Sequence, residues 1–140
     1  MSLNTIIITE WAFDSYLDLV GDYVIVSDPK DHKYNYRQLR DDALLLKHFR
    51  MANESPKFSK KNFWEHFAGI SQELFEMKWH NFGHARVQLR LHVYVRKKDI
   101  YLLQGYVKQD ANKQKREMIK SEGYANYIGR GQFKFRGELK

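Results

Sequence analysis

From Arg86 to Arg96 the chain alternates without a break: Val87, Leu89, Leu91, Val93 and Val95 are apolar, and Gln88, Arg90, His92 and Tyr94 stand between them. A period of two means a strand with one buried face, because successive side chains of a strand point to opposite sides. The flanking segments keep the same rhythm. In ELFEMKWH, Phe75, Met77 and Trp79 alternate with Glu76, Lys78 and His80, and Ile100 to Gln109 supplies a third strand. Asn81–Ala85, with Gly83 for backbone freedom, and Lys97–Asp99 make the turns. Three consecutive antiparallel strands form a meander around which the rest of the chain must pack.

The second face of the meander is unusual. It carries Arg86, Gln88, Arg90, His92 and Tyr94, joined by Tyr106 and Lys108 if Val107 points to the core. A polar strand face is most simply a solvated one. The amount of cationic and aromatic character also fits a surface for phosphate. Net charge is +7, and its distribution sharpens the point: residues 1–70 hold 9 Lys and Arg against 10 Asp and Glu, whereas residues 71–140 hold 15 against 7. Positive charge concentrated in the half that contains the meander favours a polyanion such as nucleic acid, through Coulomb attraction and counterion release. An acidic partner protein would use the same charge.

Outside the meander, Thr5 to Thr9 is a β-branched run that reads as a short buried strand, followed by a helix through Trp11, Phe13, Tyr16, Leu17 and Val20 that stops at Gly21. Tyr23 to Val26 suggests a short strand before a turn at Asp28–Pro29. Tyr36 to Ala52 has helical spacing at Leu39, Ala43, Leu46 and Phe49, and Ser59 is placed to cap a second helix through KKNFWEHFAGI. There Trp64 and Phe67 read as packing aromatics. NKQKREMIKSEGYANYI reads as a C-terminal helix interrupted at Gly123, and residues 129–140 as a basic flexible end or a short strand. The expected fold is a single α+β domain over residues 1–140, with an extended helical middle at about 21–69. An N-terminal strand and helices pack on one face of an antiparallel sheet, and its other face is left for function.

Several function classes are excluded by what the chain lacks. It has no cysteine, hence no disulfide, thiolate metal site or cysteine nucleophile. It has no phosphate-binding glycine loop, no GxSxG and no HExxH. His80 and His84 straddle a turn without a clear carboxylate partner, so no metal and no cofactor is expected. No run approaches membrane-spanning length and no signal-peptide pattern opens the chain, so a soluble, cytoplasmic protein is expected.

The pieces LFEMK, RLHVYV, IYLLQGYVKQ and KREMIKS follow one another in the second half of the chain. In type and order they resemble the RelE/HigB-like toxins of bacterial toxin-antitoxin modules, especially the phage-derived branch. That branch shows an LYELR strand, a strand with an arginine before an apolar run, and a last strand ending in two lysines ahead of a helix. The opening strand and helix match more weakly. Here Lys78 stands for the arginine of ELR, Gln109 for the second lysine, and the proline after the last strand is absent. The middle is longer than a minimal member requires.

The resemblance implies a metal-independent endoribonuclease that cuts messenger RNA, usually on the ribosome, and is neutralised by an antitoxin, commonly of helix-turn-helix type. The implied reaction is attack of a ribose 2′-hydroxyl on the adjacent phosphate with release of a 5′-hydroxyl. It needs a base, an acid and cations for the charged phosphate. Arg86 and Arg90 are the candidate phosphate clamp, since arginine's planar fork suits phosphate. Lys78 and Lys108 supply further charge or a proton, and His92 or His80 acts as acid or base. Tyr94 or Tyr106 stacks on a base or bonds to phosphate, while Lys113 and Arg116 on the last helix either solubilise it or meet ribosomal RNA phosphates. The related ParE-like toxins imply an alternative, a binding protein on the same fold that acts on nucleic acid or gyrase without cutting RNA. An inactive prophage remnant is a third.

Overall fold

Strand alternation builds the centre of the molecule. A computed structural model describes residues 3–15, 36–48, 64–66, 73–82 and 86–140, with the backbone alone at 36–38, 64–66 and 80–82. The meander consists of β3 (Leu74–Phe82), β4 (Val87–Arg96) and β5 (Asp99–Val107). Around it are β1 (Thr5–Thr9), α1 (Glu10–Ser15), α2 (Tyr36–Ala43), a 3₁₀ turn at Leu44–His48, β2 (Trp64–His66), α3 (Ala111–Gly129) and β6 (Phe135–Glu138). The six strands form one sheet in the order β2-β3-β4-β5-β1-β6.

The sheet is mixed, which corrects the expectation of a wholly antiparallel one: β1 runs parallel to β5, with Thr5 beside Asp99 and Ile8 beside Leu102. Parallel neighbours need a crossover, and everything between residues 9 and 99 supplies it. Residues 64–66 also differ from expectation. They form strand β2, with Trp64 opposite Met77 and His66 opposite Phe75, where the sequence spacing predicts helix. The tail ends in a strand, because β6 pairs antiparallel with β1 and Leu139 is buried. Within the predicted 36–52 helix, Leu44–His48 tighten into the 3₁₀ turn, and 49–52 lie outside the described residues. The strand predicted at 23–26 and the Ser59 cap lie outside the described residues, as does the first helix beyond Ser15.

One face of the sheet is apolar, as alternation requires. Met77, Trp79, Leu89, Leu91, Val93, Ile100 and Leu102 join Ile6 and Ile8, and Leu39, Ala43 and Leu46 cover them. The Trp79 indole N–H donates to Asp42 Oδ2 at 2.7 Å, which ties α2 to β3. Thr9 joins β1 to α1: its hydroxyl accepts from the Ala12 N–H at 3.2 Å and donates to the Leu102 carbonyl at 2.6 Å. It is thus both helix cap and sheet anchor.

The other face is covered as well. Leu74, Tyr101 and Leu103 pack against Ala125 and Ile128 of α3, a continuous 19-residue helix with no break at Gly123. Asp110 starts it by accepting the Lys113 N–H at 2.7 Å. A register shift between His92 and Val93 inserts Leu103, so that Leu103 and Gln104, though adjacent, both meet α3. The polar meander face is therefore beneath a helix, where the sequence suggested an open surface.

The β4–β5 turn is tight, and Lys97 takes a left-handed backbone with φ of 56°. That conformation costs a residue with a Cβ about 1–2 kcal/mol. Lys97→Gly is expected to raise stability by about 1 kcal/mol, seen as a higher urea midpoint with an unchanged slope. An unchanged or lower midpoint would show that the turn is not strained.

Candidate functional site

Three strands place their polar residues in cross-strand rows beneath α3. Glu76 lies opposite His92 and Lys78 opposite Arg90. Arg90 lies opposite Tyr106 and His92 opposite Gln104. Glu76, Arg90 and His92 are all at most 2% exposed. A carboxylate so deep in protein is tolerated only with its charge paired and its lone pairs filled.

Three partners surround Glu76, with hydrogen bonds to one oxygen and an ion-pair contact to the other. His92 Nε2 lies 2.9 Å from Oε2, and the Tyr106 hydroxyl donates to the same oxygen at 2.9 Å. Arg90 Nε faces Oε1 at 3.4 Å. The other ring nitrogen of His92, Nδ1, is 2.6 Å from the Ser121 hydroxyl of α3. Ser121 in turn accepts from Gln104 Nε2 at 2.9 Å, and Gln104 also donates to the Glu117 carbonyl at 3.1 Å. A neutral imidazole with its proton on Nε2 satisfies the whole chain: amide to hydroxyl, hydroxyl to Nδ1, Nε2–H to carboxylate. All the donors run toward Glu76.

A serine, histidine and carboxylate in series have the connectivity of a nucleophile, base and orienting acid. Here Ser121 is wholly buried. The series is closed off from the surface and joins α3 to the sheet.

The cations lie along the rim of this network. Lys78 is half-buried across from Arg90, and Lys108 follows directly on β5, its N–H bonded to the Gln88 carbonyl at 2.8 Å. Burial pushes the Lys78 ammonium below its ordinary value of 10.5, and the positive charges of Arg90 and Lys108 push it further the same way. The three cations therefore share one local field. Arg90 itself is committed to the protein: besides Glu76, it donates to the Leu89 carbonyl and to Gln88 Oε1, both at 3.2 Å.

The predicted site residues thus divide into groups. Lys78, Arg90, His92, Tyr106 and Lys108 are brought together. Arg90 and His92 are sealed inside, which corrects their placement on an accessible outer face. Arg86 is exposed at the turn before β4, in a left-handed backbone with φ of 51°. Tyr94 lies four residues from Arg90, about 13 Å along the strand, and packs in the cluster beneath α3 beside Tyr101. Burial and the negative charge of Glu73 raise its hydroxyl. His80 contributes only its backbone to the described residues, and His84 lies outside them. Lys113 is half-buried and Arg116 exposed on α3.

Glu76, Gln104 and Ser121 were not anticipated. The available signal for Glu76 was its place in the alternation, directly across from His92 once Met77 and Leu91 are paired in the core. Beside the network lies an open groove of about 670 Å³ between α1, the end of β5 and the first half of α3. Compared with family models, curated proteins and solved structures, the chain matches none. No described helix is long and apolar enough to cross a membrane.

Burial pushes the Tyr106 hydroxyl far above its ordinary value of 10.0, and the charge of Glu76 adds to the shift. Tyr106 therefore stays a donor and cannot serve as a base. A group held protonated by the fold stabilises below its unfolded pKa, and the contribution drains away as pH climbs above about 10. Wild type should lose up to about 1.4 kcal/mol more per pH unit above pH 10 than Tyr106→Phe. Urea titrations from pH 9 to 12 test this, and parallel slopes would contradict the Tyr106–Glu76 bond.

Proposed function

We propose that the protein is a metal-independent endoribonuclease of the RelE/HigB type, acting on messenger RNA at the ribosome. The observation that carries this reading is the convergence of Lys78, Arg90 and Lys108 from three neighbouring strands. Glu76 relieves part of that charge from within, and a phosphodiester at the rim is a further anion that the basic half of the chain is suited to hold.

The proposed roles follow from accessibility. The Lys108 ammonium faces the phosphate oxygens. Lys78, with its proton affinity reduced, moves a proton at the reacting centre. Arg90 and His92 are positioning residues: Arg90 adds its field from behind, and His92 holds Glu76. In the reaction the 2′-oxygen bonds to phosphorus as its proton leaves. The bond from phosphorus to the 5′-oxygen breaks and that oxygen takes up a proton, giving a 2′,3′-cyclic phosphate and a 5′-hydroxyl. A helix-turn-helix antitoxin that covers the cations would be the natural inhibitor. Burial of His92 and Glu76 favours, as the second reading, RNA binding without cleavage.

Arg90→Ala is a poor probe, because stripping one partner from a buried ion pair costs about 3–5 kcal/mol. Lys78→Met and Lys108→Ala remove rim charges instead. With ribosomes programmed by a defined message, wild type should produce new 5′-hydroxyl ends, and Lys78→Met should be slower by about 100-fold or more. Full activity in both variants would remove the cation row from the reaction. An intact message that is nonetheless bound would favour the second reading.

A further inference from the structure

We propose that the groove beside the network is a subsite for one nucleotide of single-stranded RNA, adjacent to the phosphate at Lys78 and Lys108. The inference rests on reading the cation row as a site for RNA. The groove holds about 670 Å³, within the usual range for small-ligand sites, and Trp11, Tyr106, Gln109, Lys113, Lys120 and Tyr124 are among its lining residues.

Its aromatic wall is already assembled. Trp11 of α1 and Tyr124 of α3 stack with ring centres 4.1 Å apart and planes 7° apart. Behind that pair and outside the groove lining, Tyr127 lies 6.3 Å from Trp11 and carries the Arg130 guanidinium 5.1 Å from its ring centre. Aromatics beside cations are the usual platform for unpaired bases, because every base has a π-face while the charge follows the backbone.

The polar lining selects a nucleotide over a bare phosphate. Lys113 and Lys120 are two helical turns apart, so both project from one side of α3 about 10 Å apart along its axis. Asp14 and Glu117 also line the groove and nearly cancel them. Two lysines alone would attract any anion. Two carboxylates beside them suit a ligand that presents both a phosphate and amino donors, as adenine, cytosine and guanine nucleotides do. The exposed Gln109 amide offers a donor and an acceptor to a base edge.

The groove also continues the site. Tyr106 is opposite Arg90, Arg90 is opposite Lys78, and Tyr106 lines the groove. Two strand spacings, about 10 Å, separate β3 from β5. Lys108 stands between Val107 and Gln109, which both line the groove, so RNA held at Lys108 has its neighbouring nucleotide within reach of it.

The test is a fluorescence titration with a 2′-O-methylated tetranucleotide, which lacks the attacking hydroxyl. Binding should quench tryptophan emission, and Trp11→Phe should abolish most of the quenching. Lys113→Ala with Lys120→Ala should leave the fold intact and lower the slope of log affinity against log salt by about 0.7 for each lysine. Undiminished quenching in Trp11→Phe with an unchanged salt slope, or no binding at all, overturns the subsite. If wild type cuts RNA while the groove variants bind normally, the subsite fails and the cation row stands. Trp11-dependent binding by a protein that cuts no RNA keeps the subsite and removes the cleavage reading.

Discussion

The buried carboxylate of Glu76 is the charge on which the helix-covered half of the structure depends. An ionised carboxyl at 1% exposure is far costlier than an apolar residue there. It has to be compensated by Arg90, His92 and Tyr106, and these come from the other two strands of the meander. The compensation fixes more than one charge. His92 points Nε2 at Glu76, and the same ring orientation presents Nδ1 to Ser121, which seats α3. The groove wall formed by Trp11 and Tyr124 follows from where α3 is seated.

A network of this kind is weak evidence for stability, since hydrophobic residues of similar size could fill the space as well. Its effect is geometric. It fixes the β3–β4–β5 register on the polar side just as Met77, Leu91 and Leu89 fix it on the apolar side. It also holds Arg90 inside against Glu76, leaving Lys78 and Lys108 nearer the rim. Buried pairing behind exposed charge gives a rigid platform, and rigidity is what a phosphate site needs for its donors to be in place before the ligand arrives.

Much of this arrangement was legible where the signal is local. Alternation in 74–80, 87–96 and 100–107 predicts the meander and its apolar face, and the cross-strand row of Lys78, Arg90 and Tyr106 follows once those strands are paired. The parallel pairing of β1 with β5 carries no local mark, because its partners lie at opposite ends of the chain. FWEHF mixes aromatics at helical spacing with too short a run to tell helix from strand, and pairing with β3 decides it. The cover over the polar face was hidden by its own chemistry: α3 meets the sheet through Ser121 and Ala125 as well as Ile128, so no strong apolar stripe announces a buried side. Counting positive charge on that face also obscured Glu76, the acid that meets both Arg90 and His92 among the described residues.

The central claim is that Lys78 and Lys108, with the buried Arg90 behind them, share one cationic site on a partly buried rim. The most direct measurement is an NMR titration of the Lys78 side chain, labelled at the ε carbon, in wild type and in Lys108→Ala. The account predicts a wild-type midpoint below the ordinary 10.5, since burial and both neighbouring cations act in that direction, and a rise toward 10.5 when Lys108 is removed. A wild-type midpoint at or above 10.5, unmoved by Lys108→Ala, would mean that the three charges do not share a site, and the proposed reaction centre would fall with it.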